Sequence, residues 1–205
     1  MIFLTVFLFF YVKGKVLDVM ILDTIISDQE IIDRYSKDRQ EAFRLLYCKY
    51  SDKLLAVCRR YSADDVLAMD YFHEAMIKIN DKLSKFKVRE EGSLFRWMSR
   101  ITVNMIIDTI RKERRFKPGE FFVEGQAQPE PDQALLVPLD TMYDMIRSLT
   151  PTRRIVFNLY CIEGESRKEI AKKLGISEDG VSSTLWKARK DLAKMVKDYY
   201  KEIGQ

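Results

Sequence analysis

The chain of 205 residues is poor in the residue types that secreted, metal-binding and phosphate-binding proteins need. It has three cysteines, one histidine and no CxxC pair, which argues against a disulfide framework or a zinc site. Its eight glycines are few for an open α/β enzyme, whose phosphate-binding loops depend on glycine. All five prolines lie between residues 118 and 151, so the segments on either side contain no proline to break a helix. These shortages favour a helical protein.

The composition that is present points to a folded chain. Hydrophobic residues make up 47% of it and charged residues 32%, which excludes both a disordered chain and a polytopic membrane protein. Lys/Arg and Asp/Glu number 20 and 16 over residues 20–117, 0 and 4 over 118–138, and 13 and 10 over 139–205. Two mildly basic blocks therefore flank an acidic segment. The net charge of +4 permits nucleic-acid binding but is too small to indicate it, so evidence for a nucleic-acid site must come from where the cations cluster.

Neither the cysteines nor the histidine forms a recognisable reaction centre. Cys48 and Cys58 fall in apolar stretches with helical spacing, which is typical of small core residues in a reduced compartment. His73 has no pattern of serine, cysteine or aspartate around it that indicates catalysis, so we interpret it as a surface or half-buried polar residue. No phosphate loop or nucleophile pattern occurs either, and we expect a protein that is not an enzyme and uses no cofactor and no metal ion.

Residues 1–19 form an apolar leader. The first twelve, MIFLTVFLFFYV, are too few for a membrane-spanning helix, which needs about 20 apolar residues. A secretory signal places its positive charges before the apolar run, whereas Lys13 and Lys15 follow it. Amphipathic patterning begins only near Met20, so we favour translation from Met20, with a buried or interfacial element as the alternative. We expect no direct membrane insertion. If the apolar leader is translated and binds a membrane, the alternative hypothesis is a membrane-attached signalling protein.

The distribution of proline, glycine and charge divides the rest of the chain. Residues 118–138 combine three kinds of linker residue, namely proline, glycine and acidic side chains. The sequence therefore predicts an all-α protein with two small helical domains, residues 20–117 and 139–205, joined by a flexible acidic linker.

Two local signals predict helix starts in the first domain. Ser27–Glu30, SDQE, has the form of a capping box, and Ser62–Asp65, SADD, offers a second start. Apolar residues recur at helical spacing after each signal. A charged stretch with a glycine, Lys87–Ser93, follows and predicts a loop before the next helix.

The helix after this loop carries two apolar stripes and, between them, a polar row at i+4 spacing: Arg96, Arg100, Asn104 and Asp108. It ends in RKERRFK, residues 111–117, where five of seven residues are basic. One interpretation is a solvated ridge with cations at a helix C-terminus. The other is a ridge that binds nucleic acid, with arginine and asparagine for base edges and the basic end for phosphates. Spacing alone leaves both open.

The C-terminal domain contains a helix-turn-helix pattern. Arg167–Leu174 is an amphipathic helix that Gly175 ends, and Ser177 then caps a second helix. We expect a shared core of Ile170, Ala171, Leu174, Ile176, Val181 and Leu185. The second helix would expose hydroxyls and cations suited to the major groove, namely Ser182, Ser183, Trp186, Lys187, Arg189 and Lys190. A purely structural helical hairpin is the alternative.

Both halves resemble one family. The run Ser148–Leu192, SLTPTRRIVFNLYCIEGESRKEIAKKLGISEDGVSSTLWKARKDL, is similar to region 4 of the extracytoplasmic-function (ECF) sigma factors of bacterial RNA polymerase. The run Asp64–Arg115, with GSLFRWMSRI, is similar to region 2. The resemblance covers nearly everything after Met20, and both halves occur in the family's order around a variable linker.

The resemblance implies a cytoplasmic promoter-specificity subunit that directs core RNA polymerase to promoters. Its expected partners are the β′ clamp helices and β subunit of core polymerase, promoter DNA and an anti-sigma factor. The expected polymerase-binding residues are Asp70, Glu74, Ile77 and Lys78. The expected contacts to the start-proximal (minus-ten) promoter element are Arg96, Arg100, Asn104, Arg111, Arg114 and Arg115, while Trp97 is expected to belong to the core. The expected contacts to the upstream (minus-35) element are Arg167, Lys168, Ser182, Ser183, Trp186, Lys187 and Arg189.

The chain departs from the family pattern at four positions. His73 stands where glutamine is common, and Met76 where an aromatic residue is frequent. Ser182 and Thr184 stand where lysine or arginine is frequent. Fewer cations on the recognition helix should lower both DNA affinity and its salt dependence, because each phosphate contact releases counterions. The other hypothesis for the whole chain is a helix-turn-helix regulator that acts without sigma activity.

Overall fold

The computed structural model describes residues 26–112 and 137–204, and every regular element within them is helical. The eight α-helices there are α1 (Asp28–Tyr35), α2 (Arg39–Tyr61), α3 (Asp65–Lys82), α4 (Ser93–Lys112), α5 (Leu139–Ser148), α6 (Pro151–Phe157), α7 (Arg167–Leu174) and α8 (Glu178–Ile203). A short 3₁₀ turn, Leu83–Lys85, follows α3, and a π-helical turn, Asn158–Ile162, follows α6. The all-α class is confirmed. The predicted leader, Arg114, Arg115 and residues 118–136 of the predicted linker lie outside the described residues.

The helices α1 and α3 begin at the two predicted start signals. The Ser27 hydroxyl accepts a hydrogen bond from the backbone N–H of Glu30 and begins α1, as expected for half of a capping box. In the second signal, Ser62–Asp65, the cap is Asp64, whose carboxylate accepts the N–H of Leu67 at 2.8 Å. Ser62 is instead fully buried.

The chain divides into two compact units, and the division falls inside α2, α3 and α4. The first unit contains the described residues up to Leu54 together with Ile77–Met98. Its fully buried side chains come from every helical segment in the unit and include Ile31, Leu46, Leu54, Ile79, Leu83, Leu94 and Met98. This core fixes the start of α4, where the polar row begins.

The second unit contains Leu55–Met76 and the described residues from Ser99 onward. Within it, α8 packs against α5, α6 and α7. One apolar cluster consists of Ile146, Leu149, Ala188 and Leu192. Arg154 is buried and donates to the carbonyl oxygens of Leu149 and Tyr61, at 2.9 and 3.4 Å.

No helix in the described ranges is both long enough and apolar enough to cross a membrane. The leader, on which the membrane hypothesis depends, is outside those ranges.

Candidate nucleic-acid interface

The polar row of α4 lies on the surface. All four of its residues, Arg96, Arg100, Asn104 and Asp108, are exposed, as are Arg111 and Lys112 at the helix end. The apolar stripes between which the row runs are mostly buried, with Leu94, Met98 and Ile106 at 0% exposure. Burial of the stripes therefore turns the row outward, where Arg100 and Asn104 can reach a ligand.

The two ends of the row differ in their ion pairs. Arg96 pairs with Glu90 of the preceding loop, and Arg111 lies 3.9 Å from Asp108. Gly92 at the end of that loop has a φ of +79°, a backbone conformation that favours glycine, and its carbonyl oxygen accepts the N–H of Arg96. The loop and the first turn of α4 are thus joined by both backbone and side-chain contacts.

A buried carboxylate holds the start of α4. Asp28 is fully buried, and its side chain accepts hydrogen bonds from the Tyr50 hydroxyl and, at 3.1 Å, from the Leu94 N–H. Lys49 lies 3.4 Å from the same carboxylate and 2.7 Å from Glu91 of the loop. Burial by itself raises the pKa of Asp28, but these hydrogen bonds and the charge of Lys49 outweigh it, so the pKa is lowered and the group is a carboxylate.

Aromatic rings lie beside the row. The Trp97 and Phe86 ring centroids are 4.9 Å apart, and Tyr50 stacks on Phe95 at 5.7 Å. Trp97 is half-buried rather than fully buried, and so is Ile101 on the same stripe. The ring of Trp97 therefore belongs to the edge of the core.

One face of α3 combines acidic and apolar side chains. Asp70 and Ile77 are exposed, Ile77 at 45%, while Glu74 and Lys78 are half-buried. Sequence reasoning missed Val66 and Met69, which are exposed at 75% and 37% and share this face by helical spacing. An exposed isoleucine, valine and methionine on one helix face are typical of a protein-binding surface. His73, predicted to be a surface or half-buried residue, is exposed.

The helix-turn-helix is confirmed in its local details. Ser166 and Glu169 form a capping box at the start of α7, Gly175 ends α7 with a φ of +69°, and the Ser177 hydroxyl caps α8 by accepting the Gly180 N–H. The expected core residues are buried except Ile176, which is half-buried at the turn. The hydroxyl of Ser166 and its N–H both bond to Glu169 and lower the pKa of that carboxyl.

The predicted minus-35 contacts on α8 lie on one side of the helix. Ser182, Ser183, Trp186, Lys187 and Arg189 are half-buried, and Lys190 is exposed. Arg167 and Lys168 at the start of α7 are exposed. The Lys190 ammonium lies 5.0 Å from the Trp186 ring centroid, within cation–π range.

Sequence reasoning missed one more residue at this surface, Tyr160. Its ring lies in the π-helical turn, and the guanidinium carbons of Arg167 and Arg189 lie 5.8 and 5.7 Å from its centroid. One short π-helical turn of five residues has no periodic signature in the sequence, so spacing could not have placed Tyr160 between two helices.

The cysteines do not form a site in the described ranges. Cys58 is buried, Cys48 half-buried and Cys161 exposed, and all three are free. Burial raises the pKa of the Cys58 thiol to about 12, so it is an inert core group. No group of three metal-ligating side chains lies together in the part of the chain that the structure describes.

Two family models match the chain, one over each predicted DNA-binding surface. Sigma-70 region 2 matches residues 46–116, which include the polar row, and Sigma-70 region 4 matches residues 139–192, which include the helix-turn-helix. The RNA polymerase sigma-H factor of Pseudomonas aeruginosa is 27% identical over 189 residues, covering 86% of this chain and 97% of its own. The ECF RNA polymerase sigma-E factor of Escherichia coli K12 is 28% identical over 185 residues, covering 83% and 95%. The chain belongs to the ECF sigma factors.

Solved structures resemble this sigma factor at lower identity. The sigma factor RpoE of Bartonella quintana, solved with the anti-sigma factor NepR, is 20% identical with a TM-score of 0.45, covering 78% of this chain and 98% of its own. CnrH, solved with the cytosolic domain of CnrY, is 19% identical with a TM-score of 0.44, covering 83% and 97%.

Proposed function

We propose that this ECF sigma factor directs core RNA polymerase to promoters by using three separate surfaces, one for polymerase and two for DNA. The observation that carries the proposal is the pairing of an exposed polar row on α4 with a complete helix-turn-helix in α7 and α8. Residues 20–117 would act as region 2, residues 118–138 as the linker and residues 139–205 as region 4.

The proposed polymerase surface is the exposed face of α3. Asp70, Glu74, Ile77 and Lys78 supply both charge and apolar area, and Val66 and Met69 extend the apolar part. Such a mixture suits a protein partner, because apolar burial supplies affinity and charge supplies orientation. The β′ clamp helices are the proposed partner of this face.

The proposed minus-ten surface is the polar row of α4. Arg96, Arg100 and Asn104 can hydrogen-bond to bases, and Arg111 extends the positive charge toward the backbone, with Arg114 and Arg115 following in sequence. Opening of the duplex needs a protein surface that takes up a displaced strand. The hydrogen bond from the Leu94 N–H to the Asp28 carboxylate fixes the start of α4 and so keeps the polar row in position to bind that strand.

The proposed minus-35 surface is α8 with the start of α7. Ser182, Ser183, Trp186 and Lys187 would lie nearest the bases in the major groove, and Arg167, Lys168 and Arg189 would contact phosphates. The half-buried serines are short, so the helix backbone has to approach the bases closely. Thr184 is buried and therefore faces the core of the domain rather than DNA.

Regulation and location belong to the same proposal. An anti-sigma factor that covers these surfaces, and action in the cytoplasm beside core polymerase, are the expected context of such a subunit. The chain would carry out no chemical step itself, because RNA synthesis is the reaction of the polymerase to which it binds.

Permanganate footprinting tests the proposal. Genomic fragments are incubated with core polymerase and the full chain, and unpaired thymines are mapped on the fragments retained. We expect unpaired thymines near the start site and protection of a second element upstream, both dependent on the chain. A chain that protects DNA but opens it only when another sigma factor is supplied would instead be a helix-turn-helix regulator.

A further inference from the structure

The arginines of the C-terminal domain differ in what they contact, and two of them lie against Tyr160. Of the five arginines in residues 137–204, Arg147 and Arg153 pair with carboxylates, and the buried Arg154 donates to backbone carbonyls. Within the described ranges, Arg167 and Arg189 have no carboxylate within 4.0 Å, and both lie against the Tyr160 ring instead. The ring attracts both cations without neutralising either of them.

The backbone explains why Tyr160 reaches both arginines. In the π-helical turn the N–H of Glu163 bonds to the carbonyl oxygen of Asn158, five residues earlier, at 2.9 Å. Asn158 and Leu159 are fully buried there, whereas Tyr160 is half-buried. Arg167 comes from the first turn of α7 and Arg189 from the middle of α8, so one ring links both helices of the helix-turn-helix.

Contact with the ring leaves the two arginines able to bind an anion. A guanidinium group that lies over a ring keeps its in-plane N–H donors, which match the oxygens of a phosphate. Two like charges near one ring repel each other, and a shared anion relieves that repulsion. A DNA backbone presents closely spaced phosphates along the edge of the major groove into which α8 would be inserted.

We propose that Tyr160 is a positioning residue that holds Arg167 and Arg189 as a clamp for the phosphodiester backbone of duplex DNA. The inference rests on the proposed function, because it places the clamp at the edge of the upstream contact. The ring, not the hydroxyl, performs this role. Tyr160→Phe therefore keeps the clamp, and Tyr160→Leu loosens it.

The test measures binding of the full chain to a mixed-sequence 30-bp duplex by fluorescence anisotropy, at several KCl concentrations from about 50 to 200 mM. A mixed sequence reports backbone contacts without requiring the promoter sequence. We expect Tyr160→Leu to weaken binding about five- to thirtyfold and to make the slope of log K against log [KCl] shallower, while Tyr160→Phe matches the wild type in both. If Tyr160 only stabilised the fold, Tyr160→Leu would lower the DNA affinity or the melting temperature but would leave the slope of log K against log [KCl] unchanged.

Two further variants keep the outcome decisive. Arg167→Ala/Arg189→Ala should flatten the slope by about 1.8, since each phosphate contact contributes about 0.9, and adding Tyr160→Leu to it should change nothing more. Lys194→Ala/Lys201→Ala removes the same charge from exposed positions of α8 and should leave the slope nearly unchanged. Arg167, Lys194 and Lys201 are exposed and Arg189 is half-buried, so none of these substitutions removes a core residue, and they remain informative even where Tyr160→Leu fails to fold.

Either of two results overturns the clamp: Tyr160→Leu with wild-type affinity and slope, or a wild-type chain that does not bind the duplex at about 50 mM KCl. Loss of strand opening in the permanganate assay, with the salt slopes as expected, would reject the proposed sigma function and leave the clamp standing.

Discussion

The carboxylate of Asp28 accepts a hydrogen bond from the backbone N–H of Leu94, 66 positions later in the chain, at 3.1 Å. Asp28 thus caps the first turn of α4 from the first turn of α1. A carboxylate at this place also interacts favourably with the positive end of the helix dipole. The contact connects the buried core to the helix that carries the polar row.

Substitution of Asp28 should therefore destabilise the fold. Asp28→Asn keeps the shape but removes the charge that faces Lys49 and the N–H of Leu94, and we expect it to lower the free energy of unfolding by about 1.5–3 kcal/mol. Urea denaturation followed by circular dichroism measures this change. Asp33→Asn, an exposed change on the same helix, is the matched control and should alter it by less than about 0.5 kcal/mol. Equal effects of the two substitutions would contradict the capping role.

Stability should also fall in acid through Asp28. Its pKa in the folded chain is below the ordinary value of 3.8, so between those two values the unfolded chain binds more protons. The stabilisation is complete above about pH 4 and is lost as the pH falls through the folded pKa. Hydrogen bonding to Arg44 lowers the pKa of Glu41 and adds in the same direction. A plot of the free energy of unfolding against pH, from pH 2.5 to 6, should therefore be less steep for Asp28→Asn than for the wild type. Parallel plots for the two proteins would refute the assignment to Asp28.

Ile77→Glu should reduce the affinity for core polymerase. The side chain is 45% exposed on the face of α3, and a charge there would have to be desolvated in an apolar interface. We expect at least about a tenfold rise in Kd, measured by competition for fluorescently labelled core enzyme. Arg34→Ala, which changes an exposed residue of α1, serves as the control. Wild-type affinity of Ile77→Glu would remove α3 from the polymerase surface.

Arg100→Ala should impair promoter opening more than polymerase binding. Arg100 is exposed in the middle of the polar row, and Arg96 beside it is paired with Glu90. The expected result is wild-type competition for core enzyme together with weaker permanganate reactivity of the opened strand. If both measurements decline to the same extent, Arg100 does not belong to the DNA surface.

Lys187→Ala should weaken the upstream contact by about 1–3 kcal/mol if Lys187 reads a base. The side chain is half-buried on the side of α8 that also carries Ser183. Footprint titration of the holoenzyme over the upstream element measures the loss. Lys201→Ala, near the end of α8, supplies a charge-matched comparison. An unchanged footprint with Lys187→Ala would place this lysine outside the base-reading set.

Local signals predicted the helix-turn-helix in detail because each of them acts within a few residues. Ser166 with Glu169, Gly175 and Ser177 set the ends of α7 and α8 through nearby backbone groups. The exposure of the polar row of α4 could also be predicted from periodicity. When the two apolar stripes are buried, the polar side chains between them must face solvent.

Features that depend on distant contacts could not be predicted this way. The bond between Asp28 and Leu94, and the arginines around Tyr160, join residues that no local pattern relates. The sequence also predicted that six residues of α8 would be exposed, and only Lys190 is. The other five are half-buried, because neighbouring side chains on a packed helix cover part of each: Ser182, Ser183, Trp186, Lys187 and Arg189. The same packing buries Thr184.

Run-off transcription measures directly whether the chain enables core polymerase to start transcription at specific promoters. Purified core polymerase transcribes a pool of genomic fragments with and without the full chain, and the transcripts are mapped. We expect discrete start sites that occur only with the chain and that Arg100→Ala diminishes. A chain that fails to associate with core polymerase, or that associates with it yet starts no transcript on any template, would not be a working sigma factor.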